Sequence, residues 1–179
     1  LLKYLPPNQG YDEQPSVLCP GSGLGRLPFE FARHGYVAEG NEFSYHMLLG
    51  SQVLLNNSPE AECHTIYPFV LNPSHLKERY DSLRPIRVPD ISPNQEMPPG
   101  ASLTMAAGEF VEVYKEQCGE RDAVATCFFL DTAKNVFLYI RTIAMLIRPG
   151  GFWTNFGPLL YHYAELESDI SIEPSWEEV

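Results

Sequence analysis

Residues 16–35 read SVLCPGSGLGRLPFEFARHG, and the fold follows from how this stretch divides. A short apolar run, Ser16 to Cys19, leads into Pro20-Gly21-Ser22-Gly23-Leu24-Gly25, after which Leu24, Leu27, Phe31 and Ala32 recur at helical spacing up to Gly35. The order is strand, glycine loop, helix. Glycines there let backbone N–H groups come close to a ligand at the start of a helix. The same loop without a ligand is a tight turn, so its surroundings have to decide.

Outward from the loop, a second βα unit follows, with Tyr36 to Asn41 as a strand closing at Glu42. Phe43 to Leu55 reads as a helix with Tyr45, Leu48, Leu49 and Val53 available for packing. Eight of the sixteen prolines fall between Pro59 and Pro99, a stretch expected to be an insertion at about 59–100 rather than regular core. Beyond it, Ser102 to Ala107 predicts a third strand, ending at Gly108-Glu109-Phe110, and Val111 to Gln117 a short helix. Asp122 to Leu130 is the kind of continuous apolar run that a strand buried on both faces needs, and it ends at Asp131. Thr132 starts a helix expected over 133–147, which Pro149-Gly150-Gly151 stops before the apolar run Phe152 to Phe156. Strands alternating with helices give an α/β fold, a doubly wound and mostly parallel sheet, with residues 1–179 as one domain.

Composition narrows the function. Twelve Lys and Arg against twenty-three Asp and Glu give a formal charge of −11, which disfavours phosphate-driven nucleic-acid binding, and no apolar window is long enough for a membrane span. Six of the acids, Glu165, Glu167, Asp169, Glu173, Glu177 and Glu178, lie in the last fifteen residues without one Lys or Arg. Cys19, Cys63, Cys118 and Cys127 are too scattered for a disulfide framework or a zinc site and point to a reducing compartment. His64 and His75 stand eleven residues apart without metal-like spacing, so no metal is assigned, and His34 and His46 carry no chemical signal. The chain begins at Leu1 with no signal-peptide pattern and is expected to be a fragment.

Three places carry chemistry. Glu42 stands twenty-one positions after Gly21, at the end of the next strand, where a carboxylate grips the hydroxyls of an adenosine ribose. NAD and S-adenosylmethionine sites share that geometry, but the spacing here is GxGxG (Gly21, Gly23, Gly25), with Arg26 where the dinucleotide fingerprint needs its last glycine. A nicotinamide-dependent oxidoreductase is therefore a distant reading. Glu109 can accept from an adenine amino group and Phe110 can cover the ring, although by composition alone Phe110 suits a core better than a cofactor clamp and Cys127 suits a small buried hydrophobe. Asp131, at the end of one strand, and Tyr161-His162-Tyr163, after the next, should face one crevice beyond the carboxyl ends of the strands. A carboxylate and an imidazole there can orient an acceptor bearing its own N–H; the alternative makes Asp131 a helix-start carboxylate and His162 a half-exposed loop residue.

Residues 17–27, Gly40-Asn41-Glu42, Ala107-Gly108-Glu109-Phe110, residues 126–133 and the run from Pro149 through Gly157-Pro158-Leu159-Leu160-Tyr161-His162 resemble, in that order, the carnosine N-methyltransferase family. The resemblance spans roughly Leu5 to Val179. It implies a class I methyltransferase that moves a methyl group from S-adenosylmethionine to an imidazole nitrogen of a histidine-containing dipeptide, giving anserine from carnosine. It assigns Gly21, Gly23, Gly25, Glu42, Glu109, Phe110 and Cys127 to the cofactor, Asp131 and His162 to catalysis, and Asp131, His162 and Tyr161 to the acceptor. Glu109 stands where the family has Asp, and Lys134 where it has His, the latter an expected change at the acceptor pocket. The family also has an N-terminal helical region and a C-terminal part that completes the sheet, so the core is expected to be truncated at both ends. Ser175-Trp176-Glu177-Glu178 has the pattern of a helix start. The expected partner is a small histidine-containing peptide, with neither nucleic acid nor membrane, a homodimer open to it, and the cytoplasm as location with the nucleus also open. Two other functions stay open: methylation of histidine in a protein or peptide, and a catalytically silent methyltransferase-like binding module.

Overall fold

The computed structural model describes residues 2–7, 14–72 and 74–179. They form two compact units, Leu1–Leu48 with Pro98–Val179, and Leu49–Met97. The first unit is built on strands β1 (Ser16–Pro20), β2 (Val37–Glu42), β5 (Ser102–Ala107), β6 (Arg121–Cys127) and β7 (Ile147–Phe156). They form one sheet in the order β5-β2-β1-β6-β7 with every neighbouring pair parallel. The chain winds outward from β1 to one edge and then crosses back to lay β6 on its other side, so the strand order reverses between β1 and β6. A doubly wound α/β sheet opens its ligand crevice at the carboxyl ends of those two strands.

Strand periodicity builds the two faces. Val17 and Cys19 point to one side of β1 with Tyr36, Ala123 and Ala125, where Leu27 and Phe31 of helix α1 (Arg26–Arg33) cover them. Leu18 points to the other side with Val124, where Phe110 and Tyr114 of α4 (Phe110–Tyr114) and Ile143 and Leu146 of α5 (Val136–Leu146) close the core. Each such fully buried apolar side chain contributes about 1.5 to 3 kcal/mol. Burial also pushes the Cys19 thiol well above its ordinary range, so it stays a neutral hydrophobe.

The second unit holds residues 49–56 of helix α2 (Tyr45–Asn56), an antiparallel pair β3 (His64–Ile66) and β4 (Ile86–Val88), and the short helix α3 (Pro93–Glu96). Regular structure stays short because proline removes donors and fixes turns. Buried Ser58 ties the unit, donating to the Val53 carbonyl at 3.0 Å, while Ser92 donates to the Ser58 carbonyl at 2.9 Å. Among the described residues no helix is long and apolar enough to cross a membrane, and no three His, Cys, Asp or Glu side chains gather as a metal site would require.

Several element boundaries differ from the sequence expectation for identifiable reasons. β6 stops at Cys127 rather than running to Leu130, because Phe128 turns the chain with a φ of 52°. The next helix begins at Val136 rather than Ala133, since Leu130–Thr132 is spent on a 3-10 turn and the Asn135 side chain caps the helix by accepting from the Leu138 N–H. In α2, Tyr45, Leu49 and Val53 are exposed, Tyr45 at 79%, and the buried position is Ser51. Residues 175–178 form half of a capping box, with the Glu178 carboxylate accepting from the Ser175 N–H at 2.7 Å.

Candidate active site

The loop after β1 turns on three left-handed glycines, with φ of 63° at Gly21, 55° at Gly23 and 86° at Gly25. Side chains other than glycine rarely take that conformation. Gly21 has a second requirement, since a Cβ there would lie 2.5 Å from the Phe129 ring. Ser22 anchors the loop to the end of β2 through its N–H and its hydroxyl, both donating to the Asn41 carbonyl at 3.0 and 3.2 Å.

Glu42 spends both carboxylate oxygens on main-chain N–H groups. One carboxylate oxygen accepts the Gly23 N–H at 2.8 Å, and the other accepts the N–H groups of Phe43 and Ser44 at 2.9 and 2.8 Å. Hydrogen bonds to a charged acceptor contribute roughly 1.5 to 3 kcal/mol each, enough to fix the loop's conformation. Asn41, which sequence reasoning left without a role, is 2% exposed and donates to the carbonyls of Gly108 and Ala106 at 3.1 and 3.3 Å. It thereby fastens the end of β2 to the turn after β5, while its own carbonyl holds Ser22. Its signal in the sequence is a polar amide placed where a buried strand ends. Gly40 beside it has no room for a Cβ, which would fall 2.5 Å from the Met105 sulfur and 2.8 Å from the Ser22 hydroxyl.

A cavity of about 610 Å³ opens at the ends of β2 and β5, lined by Phe43, Tyr45, His46, Ala107 and Gly108 among others. His46, silent in the sequence, is on its wall. Glu109 follows directly and caps α4, accepting the Glu112 N–H at 2.9 Å and the Tyr139 hydroxyl at 3.4 Å. Phe110 is 2% exposed, with its ring packed edge-on against Phe129 and Tyr139 at 5.4 and 5.3 Å. Of its two sequence readings, core and ring cover, the core is the one this packing matches. Cys127 ends β6 as an exposed free thiol, so it does not behave as a buried small hydrophobe.

On the other side of β6, Asp131 sits in the 3-10 turn and is 2% exposed. One of its carboxylate oxygens accepts the Leu160 N–H at 3.1 Å, and its carbonyl accepts the His162 N–H at 3.0 Å. The two residues expected to share a crevice are thus directly bonded, with the His162 side chain exposed. Tyr161 between them takes a φ of 41°, packs against Leu130, Ala133 and Val136, and donates its hydroxyl to the Pro174 carbonyl. Burial raises its phenol pKa, and the Asp131 charge adds to the shift. Phe128 is 60% exposed and meets Phe156, at the end of β7, edge-to-face at 5.6 Å. Within its apolar run nothing marks Phe128 as exposed; the distant signal is Gly157, where a Cβ would come 3.0 Å from the Phe128 nitrogen. The two sides meet at Phe129, which lies against Gly21 and stacks on Tyr139 at 4.8 Å.

Comparison with known proteins gives the chain's family. A family model described as carnosine N-methyltransferase matches residues 1–179. The carnosine N-methyltransferase of Rattus norvegicus is 43% identical over 179 residues, covering 100% of this chain and 44% of the rat protein. Carnosine N-methyltransferase unmet of Drosophila melanogaster is 45% identical over 163 residues, 91% of this chain and 35% of the fly protein. The chain therefore spans less than half the length of the curated relatives it matches. Among solved structures, a putative S-adenosyl-L-methionine-dependent methyltransferase from Methanococcus maripaludis superposes with a TM-score of 0.49 at 14% identity, over 79% of this chain and 48% of the other. The glycopeptide N-methyltransferase MtfA, complexed with S-adenosyl-L-methionine, gives a TM-score of 0.46 at 15% identity, over 80% and 47%.

Proposed function

The chain belongs to the carnosine N-methyltransferase family, and from that membership we propose that its protein transfers a methyl group from S-adenosylmethionine to an imidazole nitrogen of a histidine-containing dipeptide, carnosine giving anserine. The residues fit such a cofactor. Gly21 and Gly40 have no room for a Cβ and so keep the loop close-packed, the loop is pre-shaped by Glu42 and Asn41, and a cavity is lined by Phe43, next in sequence to Glu42, and by Gly108. The loop Gly21–Gly25, Glu42, Glu109, the main chain of Phe110 and Cys127 would hold it, and when bound it supplies a methyl group on a sulfonium that leaves as a neutral thioether. On the same reading the proline-rich stretch at about 59–100 is an insertion into a methyltransferase core.

The observation that carries the proposal is the main-chain bond by which the Asp131 carbonyl holds His162 next to the buried Asp131 carboxylate. A neutral imidazole has one nucleophilic nitrogen and one N–H. Asp131 has committed one carboxylate oxygen to Leu160, and the other is the group that would accept the acceptor's N–H and so fix which nitrogen is free. As methylation turns the acceptor ring cationic, the Asp131 charge stabilises it, and the N–H proton can leave through the same contact. No strong general base is needed, so His162 and Tyr161 are assigned to holding the acceptor. Turnover of the full-length protein with labelled S-adenosylmethionine over a panel of carnosine, free histidine and histidine peptides tests this. Label in carnosine is the expected result. Label only in longer peptides would move the acceptor to protein histidine, and absence of cofactor binding would leave a silent binding module.

A further inference from the structure

The chain carrying His162 is fastened to the residues after β6 at more points than Asp131 provides. Lys134, exposed and three positions past Asp131, pairs its ammonium with the Asp169 carboxylate. The same ammonium lies 4.9 Å from the centre of the Tyr163 ring. The Lys134 carbonyl accepts the Ile172 N–H at 3.0 Å, and Asn135 bridges to Ile172 alongside. Residues 131–135 thus act as a rail, with Leu160 and His162 attached at one end and Tyr163, Asp169 and Ile172 at the other. Residues 156–179 contain six acids and no Lys or Arg, and Lys134 is the sole cation between Asp131 and Arg141, so the rail supplies the charge that the attached segment lacks.

We propose that Lys134 is a positioning residue for the acceptor, its ammonium clasping Asp169 and Tyr163 so that residues 160–172 keep His162 beside Asp131. The inference rests on the reading of Asp131 and His162 as the acceptor site. An exposed ion pair alone contributes little to stability, but here it acts together with a cation–π contact and two main-chain bonds on one short segment. Its effect therefore falls on placement more than on folding. Pairing raises the Lys134 pKa and lowers that of Asp169, so both stay charged through neutral pH.

Two measurements on the full-length protein test it, with Lys134→Met, Asp169→Asn and the conservative Lys134→Arg. Lys134→Met should raise the KM for carnosine about three- to tenfold with kcat and cofactor Kd nearly unchanged, Asp169→Asn should reproduce it, the double variant should be no worse than either single, and Lys134→Arg should restore it. Salt should raise the wild-type KM and leave that of Lys134→Met flat. Hydrogen exchange at the Leu160 and His162 amides, both bonded to Asp131, should quicken in Lys134→Met. Unchanged exchange there overturns the clasp whatever the rates show. Quickened exchange with an unchanged carnosine KM overturns the positioning role. If the wild-type protein methylates no carnosine, the acceptor reading falls, and the clasp is decided by exchange alone.

Discussion

On the glycine-loop side of the crevice, β1, β2 and β5 run in unbroken register, so Pro20 pairs with Asn41 and Glu42 with Ala107, and the loop, the carboxylate and the Gly108 turn arrive at one level of the sheet. On the His162 side, Asp131 and His162 both lie beyond their strands, in irregular chain, and are aligned by individual ties from Asp131, Tyr161 and Lys134. One half of the site is placed by the sheet and the other by side chains. The first should fail when atoms are added, because Gly21 and Gly40 have no room for a Cβ. The second should fail when a tie is removed.

The largest expected effect tests the second half. Asp131→Ala removes both the Leu160 tie and the charge facing the acceptor, and catalytic efficiency with carnosine should fall about a hundredfold or more, near 3 kcal/mol, while cofactor affinity is spared. Asp131→Asn keeps an oxygen for the Leu160 N–H and should retain the segment's order while losing most of the rate. His162→Ala should act in the same direction, chiefly through acceptor KM. Initial rates on variants that still bind S-adenosylmethionine decide it; near-wild-type rates for Asp131→Ala would place the acceptor elsewhere.

The first half is tested by adding one carbon. Gly21→Ala meets the Phe129 ring at 2.5 Å in a left-handed conformation, so overpacking of about 1 to 3 kcal/mol adds to backbone strain of about 1 to 2 kcal/mol. Cofactor affinity measured by calorimetry should drop about fiftyfold. Gly23→Ala has nothing within 4 Å of the new atom and should cost the strain alone. Equal losses in the two variants would show that conformation, not contact, shapes the loop.

A smaller loss is expected from Glu42→Ala, about ten- to thirtyfold in cofactor affinity in a folded protein, since both the loop tether to Gly23 and the ribose acceptor go. In the wild type, S-adenosylhomocysteine at about a hundred times its Kd should add about 2.7 kcal/mol and raise Tm, while NADH should not. A shift with NADH alone would refute the methyltransferase reading.

The smallest effect sits where the halves meet. Burial, reinforced by the Glu109 charge, pushes the Tyr139 phenol up to about 12. The unfolded chain loses that proton first, near pH 10, so the stabilisation is complete below pH 10 and is lost as pH rises through about 12. Urea midpoints followed from pH 9 upward should fall in that window, and Tyr139→Phe should flatten the fall.

The same contrast explains what the sequence made legible. The glycine loop is readable because it depends on a local pattern, left-handed turns that glycine allows. The spacing from Gly21 to Glu42 was readable because one βα unit has a nearly fixed length. The exposed face of α2 was not, since Leu48, Leu49, Val53, Leu54 and Leu55 surround that helix and no single stripe marks an inner side. Asn41 and Phe128 were missed because their roles are set by residues far along the chain, Gly108 and Gly157. The sequence places Asp131 and His162 after successive strands, but nothing in it shows that the carboxylate is buried with one oxygen already taken.

The reversal of strand order between β1 and β6 also sets an order of assembly. Ser16 donates its N–H to the Asp122 carboxylate at 2.8 Å across 106 residues, and Val17 pairs with Ala123, so the two central strands meet only after a long loop closes. Loop closure costs entropy that grows slowly with length, but distant pairing slows folding strongly. During synthesis β1 and β2 emerge while β6 is still unmade. The glycine loop can therefore form its ties to Asn41 and Glu42 early, whereas the rail bearing Asp131 has to wait for the ribosome to finish β6. A chain stalled before that point would lack the Asp131 side of the crevice and the Phe129 ring against which Gly21 packs.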